Sequence, residues 1–140
     1  MSRFLLDTNV PSETLTPRPD AKVSDWLKGQ TKEALFLSVV TMGELRKGTE
    51  LLPPSARRRQ LEESIKFLVP FWFTGRILPV TSAIAEKWGV LDAHRQTAGI
   101  PLGVADGMIA ATALEHGLTL VTRNVKDFFD LGVTILNPWD

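Results

Sequence analysis

Short apolar runs alternate along the chain with longer stretches in which hydrophobic positions recur every three or four residues. The runs at 3–6, 35–38, 77–79, 119–121 and 133–136 predict strands. The periodic stretches at about 20–28, 41–51, 55–73, 82–97 and 104–115 predict helices. Asp20, Thr41, Ser55 and Ser82 suit helix N-caps, Gly29 and Gly117 suit C-terminal stops, and Pro53-Pro54 separates the second helix from the third. Strands that alternate with helices imply right-handed βαβ crossovers and a mostly parallel sheet covered on both faces, an α/β fold. Sites in such sheets form beyond the carboxyl ends of the strands, where helices begin.

Composition narrows this reading without changing it. The 140 residues contain no internal repeat, low-complexity tract or linker, so a single domain over 1–140 is expected. A domain of this size buries roughly 70% of its unfolded surface. No apolar run approaches the roughly 20 residues that span a bilayer, and the segment before Asp7 is too short for a secretory leader. The expected protein is therefore cytoplasmic with no membrane partner. Cysteine is absent, which excludes disulfides, thiolate metal sites and cysteine nucleophiles and fits a reducing compartment. Sixteen basic residues balance sixteen acidic ones, so any phosphate-binding surface must be a local patch.

The candidate chemistry lies in the acids. In FLLDTNVPSE, residues 4–13, an apolar strand runs straight into Asp7, and Pro11 prevents the strand from continuing. An Asx-type turn explains Asp7 as well as a ligand role does. Glu44 stands three residues after Thr41, the spacing of a capping box. Asp106 lies in the first turn of a predicted helix, where a carboxylate complements the macrodipole. Asn124 and Asp127 follow the fourth strand in a polar loop. Each has an ordinary explanation alone, yet all fall at strand ends or helix starts on one rim of the sheet. Carboxylates gathered there raise one another's pKa unless a cation neutralises them. Mg²⁺ or Mn²⁺, which prefers oxygen ligands and keeps water, suits such a set and leaves room for a substrate phosphate.

Other chemistries find less support. His94 and His116 match no zinc spacing, and no glycine-rich phosphate loop is present. The ARRR run at 56–59 fits a solvated helix face. Trp26, Trp72, Trp88 and the aromatics of 67–73 fit core or dimer contacts.

The segments FLLDTNVPSE, LSVVTMGELRKG and VADGMIAATALEHGLTLVTRNVKDF and the terminal NPW, in this order and spacing, resemble the PIN-domain family of VapC-type toxin ribonucleases, in particular its FitB-like members. The resemblance covers essentially the whole chain. It implies a three-layer α/β/α fold, a Mg²⁺- or Mn²⁺-dependent ribonuclease, a homodimer, and inhibition by a small antitoxin with a DNA-binding N-terminus. By position, Asp7, Glu44 and Asp106 would form the catalytic, metal-binding triad, and Thr8, Asn9 and Thr122 would orient it. Many relatives carry an aspartate where Asn124 stands. Asn124 can still ligate through its amide oxygen, and Asp127 can supply the missing charge if its loop curls into a turn.

The leading expectation is thus a toxin endoribonuclease that hydrolyses RNA phosphodiesters with a metal-activated water. Arg46 and Lys47, just past Glu44, are candidates for RNA or antitoxin contact, with surface solvation an equal explanation. The rival is a weakly catalytic or non-catalytic partner of a DNA-binding antitoxin that regulates transcription. A phosphatase with Asp7 as nucleophile is disfavoured because Asn9 stands where a second acid is needed.

Overall fold

The computed structural model describes residues 2–140. Five parallel strands, β1 (Phe4–Leu6), β2 (Leu35–Ser38), β3 (Ile77–Leu78), β4 (Thr119–Val121) and β5 (Ile135–Leu136), form one sheet in the order β3-β2-β1-β4-β5. The register pairs Phe4 with both Leu35 and Thr119, and Val121 with Leu136. The strands are nearly continuous apolar runs because both faces of a parallel sheet are covered. Side chains alternate strictly between two cores. Phe4, Leu6, Leu35, Leu37 and Val121 face one layer with Val10, Val23, Val69 and Phe73. Leu5 and Leu120 face the other with Ile109, Ala110, Ala113 and Phe128. This is the expected three-layer α/β/α arrangement.

Seven α-helices connect the strands: α1 (Asn9–Thr14), α2 (Ala21–Lys28), α3 (Val39–Glu50), α4 (Ala56–Glu63), α5 (Val69–Trp72), α6 (Ser82–Thr97) and α7 (Val104–His116). Among the described residues no helix is long and apolar enough to cross a membrane. Asp20 caps α2 and Ser55 caps α4 as expected, and Gly117 ends α7 in the left-handed conformation at φ 64°.

Four local expectations need correction. The helix predicted at 41 starts at Val39, capped by the Ser38 hydroxyl, so Thr41 is a buried interior residue and no capping box forms. Thr81, not Ser82, caps α6. The single helix predicted at 55–73 is interrupted by a π turn over Ser64–Leu68. Pro70 lies just beyond that turn: it lacks an N–H, and its ring would clash with the carbonyl four residues back, so the wider turn accommodates it. The segment after Asp7 is a helix, α1, with Pro11 in its first turn, where no N–H is required.

The chain winds outward from β1 through β2 to β3, then returns to the other side of β1 for β4 and β5. The reversal makes the carboxyl ends of β1 and β4 a topological switch point, where a crevice opens in sheets of this type. Asp7 and Thr122 immediately follow those two strands.

Candidate active site

Asp7 is held between the two central strands. Its N–H donates to the Val121 carbonyl at 2.9 Å, which ties the residue to the end of β4. Its side chain is 4% exposed, and three donors satisfy the carboxylate. The Thr8 N–H donates to Oδ1 at 2.8 Å, while the Thr122 hydroxyl at 2.8 Å and Asn9 Nδ2 at 3.3 Å donate to Oδ2. Thr122, itself fully buried, also accepts from Asn9 Nδ2 at 3.2 Å and from the Asn124 N–H at 3.0 Å. Asn9 and Thr122 thus orient Asp7 from the starts of two different connections. Burial pushes the Asp7 carboxyl above its ordinary value. The Thr122 and Thr8 hydrogen bonds pull it down, and the charges of Glu44 and Asp127 push it up again.

Glu44 reaches the site from α3, and its partner is Thr8 in place of the expected Thr41 N–H. The Thr8 hydroxyl donates to Glu44 Oε1 at 2.5 Å and lies 3.0 Å from the Thr41 hydroxyl. An ionised carboxylate only accepts, so Thr8 gives its one proton to Glu44 and receives one from Thr41. The Thr41 side chain is therefore the base of a relay that fixes Glu44.

Asp106 stands in the first turn of α7 and is half-buried. Its pKa is pushed up to about 6, chiefly by burial, then by the charges of Asp7, Asp127 and Glu44, with Arg95 opposing. The next residue, Gly107, lets α7 approach α6 closely. A Cβ there would lie 2.4 Å from Trp88 Cδ1.

The loop after β4 does curl. Val125–Asp127 form a 3₁₀ turn, with the Asp127 N–H donating to the Asn124 carbonyl at 3.0 Å. Its carboxylate stands close enough to raise the pKa of both Asp7 and Asp106. The Asn124 side chain is exposed and makes no hydrogen bond among the described residues; its backbone N–H is what binds Thr122. Arg46 forms an i,i+4 ion pair with Glu50 along the exposed face of α3, and Lys47 is exposed beside it.

Two polar residues of the site carry no sequence signal of their role. Thr41 has the chemistry and spacing of a cap, and its buried hydroxyl instead meets Thr8. Arg95, on the third-last position of α6, is buried and binds the loop that carries Asp127. A charged residue inside a predicted amphipathic helix gives no sign of its burial until its partners are placed.

Four carboxylates, Asp7, Glu44, Asp106 and Asp127, thus interact through their charges at one crevice. Among the described residues no three acidic or histidine side chains converge tightly enough to enclose an ion between them. A donor set of this kind, all oxygen, suits a hard cation held by one or two carboxylates with water completing its shell.

Acids gathered at the switch point of a doubly wound parallel sheet place the chain among α/β proteins whose site lies beyond the carboxyl ends of the strands, and the comparisons specify which. The PIN domain family matches residues 4–132. The chain belongs to that family. It is 40% identical over 136 residues to Toxin FitB of Neisseria gonorrhoeae, which covers 97% of this chain and 98% of FitB. It is 38% identical over 137 residues to VapC ribonuclease Y4jK of Sinorhizobium fredii, covering 98% of each. The crystal structure of FitAcB from N. gonorrhoeae superposes with a TM-score of 0.90 at 40% identity, covering 97% of this chain and 98% of that one. DNA-bound VapBC from Salmonella typhimurium superposes with a TM-score of 0.78 at 27% identity over 99% of both chains.

Proposed function

We propose that this PIN-domain protein is the toxin of a VapBC-type pair, a Mg²⁺- or Mn²⁺-dependent endoribonuclease centred on Asp7, Glu44 and Asp106. The observation that carries the reading is the electrostatic state of the site. Burial raises the carboxyls of both Asp7 and Asp106 above their ordinary value, and the charges of neighbouring acids add to each shift. Keeping like charges together lowers stability, a sacrifice typical of functional sites. The names of whole-length relatives, a toxin and a ribonuclease, agree with it.

A bound divalent cation would neutralise the cluster and supply Lewis-acid chemistry to a phosphodiester. Asp7 and Asp106 would hold it, with Glu44 and Asp127 adding charge and Asn124 an amide oxygen. The protein's own part is orientation. Thr8, Asn9 and Thr122 leave Asp7 one fixed rotamer, and the Thr41–Thr8 relay does the same for Glu44. Lys47, exposed one turn beyond Glu44, would contact RNA or antitoxin, while Arg46 is paired with Glu50.

A small antitoxin with a DNA-binding N-terminus completes the proposal, supported by the resemblance to DNA-bound VapBC; the homodimer rests on the family resemblance alone. The test is cleavage of total RNA by the purified protein in Mg²⁺ and in chelator, beside Asp106→Asn. Cleavage by the parent in Mg²⁺ alone, lost in the variant, is expected. Absence of cleavage in every arm would favour the non-catalytic, transcription-regulating partner instead.

A further inference from the structure

We propose that Arg95 is a positioning residue for the acidic site, a buried cation on α6 that fixes the turn after β4 and so sets where the Asp127 carboxylate stands. The inference rests on the metal-site reading above. Arg95 is 3% exposed, and its guanidinium is committed to a single segment of chain. Nε donates to Asp130 Oδ1 at 2.9 Å, while Nη2 donates to the same oxygen at 2.5 Å and to the Asp127 carbonyl at 2.7 Å. The bond to Asp127 distinguishes this arrangement from an ordinary ion pair. It ends on the backbone of the residue whose side chain joins the cluster.

The turn is anchored from two directions. Phe128, directly after Asp127, is fully buried in the core shared with Leu5, Ile109 and Leu120. Arg95 holds the polar side, binding one residue before Phe128 and one two residues after it. With both anchors in place the Val125–Asp127 turn has little freedom to swing.

Burying a guanidinium away from water is costly, and an apolar side chain of similar volume packs as well or better. A clamp needed for stability alone would not require arginine. Arginine supplies what an apolar residue cannot, a planar fork that fixes a carbonyl and a carboxylate together.

The experiment is Mn²⁺ titration by calorimetry on the full chain, comparing the parent with Arg95→Met, Asp127→Asn and the double variant. Asp130→Ala releases the same clamp from the exposed side and leaves the buried guanidinium without its counter-charge. Removing a residue that supports a ligand from outside the coordination shell typically weakens metal binding about 10- to 100-fold. A loss of about tenfold is expected here for Arg95→Met, for Asp130→Ala and for Asp127→Asn. The double variant should bind no more weakly than Asp127→Asn alone, because Arg95 acts through Asp127. Additive losses would show that Arg95 acts independently of Asp127 and would overturn the inference. So would unchanged affinity in Arg95→Met and Asp130→Ala with only the melting temperature lowered, the behaviour of a structural tie. A parent that binds no Mn²⁺ would overturn the metal reading itself, and the inference with it.

Discussion

Asp106 makes no side-chain hydrogen bond among the described residues, whereas Asp7 accepts three, and the two acids therefore respond differently to loss of charge. In Asp7→Asn the new amide would face the Asn9 amide, donor against donor, and the lost hydrogen bonding offsets the relief of repulsion. Asp106→Asn removes charge alone. The Asp106 carboxyl, raised from 3.8 to about 6, binds more protons in the folded state than in the unfolded state across that window. Its stabilising contribution is complete below the unfolded value and disappears as pH rises through about 6. In chelator the melting temperature of the parent is therefore expected to fall between these pH values, and that of Asp106→Asn to fall less. At pH 7 the variant is expected to be roughly 1 kcal/mol more stable, part of the nominal shift being screened by solvent. Melting curves across the window check both statements. A variant less stable than the parent at neutral pH would make Asp106 a structural residue.

At the scale of elements, α7 carries Asp106 into the crevice, and its place depends on contact with α6. Gly107 sits against the Trp88 indole: an added Cβ would lie 2.4 Å from Cδ1, 2.8 Å from Nε1 and 3.1 Å from Leu102 Cδ2. Trp88 Nε1 is buried without a hydrogen-bond partner among the described residues, so packing alone holds the ring against Gly107. Gly107→Ala is expected to lower stability by about 1 to 3 kcal/mol through overpacking, despite alanine's better helix propensity. Urea unfolding measures this, and a variant as stable as the parent would contradict the close packing. Most elements were legible because their signals are local. Asp20, Ser55 and Gly117 marked true helix ends. The failures share a cause. Thr41 and Ser82 have good cap chemistry, but the residues that cap are Ser38 and Thr81, selected by where the preceding strand ends or the loop turns. Pro11 does lie past the end of β1 as expected, but the helix α1 that begins at Asn9 and takes it into its first turn has no local signal.

Across the whole molecule, the order β3-β2-β1-β4-β5 brings residues from four separate parts of the chain to one crevice. Alternating strands and helices made the parallel sheet legible, the rule that sites lie beyond the carboxyl ends of its strands grouped Asp7, Glu44, Asp106, Asn124 and Asp127 on one rim, and the family resemblance narrowed these to a triad of Asp7, Glu44 and Asp106. The supporting groups were only partly legible. Thr8, Asn9 and Thr122 stand beside the motifs that identify the site. Thr41 and Arg95 act across distances of 33 and 32 residues, to Thr8 and Asp127, which no local pattern encodes. Calorimetric titration with Mn²⁺ puts the metal-site reading, that this fold gathers its acids to hold a divalent cation, to the test. The parent is expected to bind Mn²⁺ and Asp106→Asn to bind at least about tenfold more weakly, since the cation loses a charged ligand. Equal affinity in the two proteins, or no binding by the parent, would contradict it.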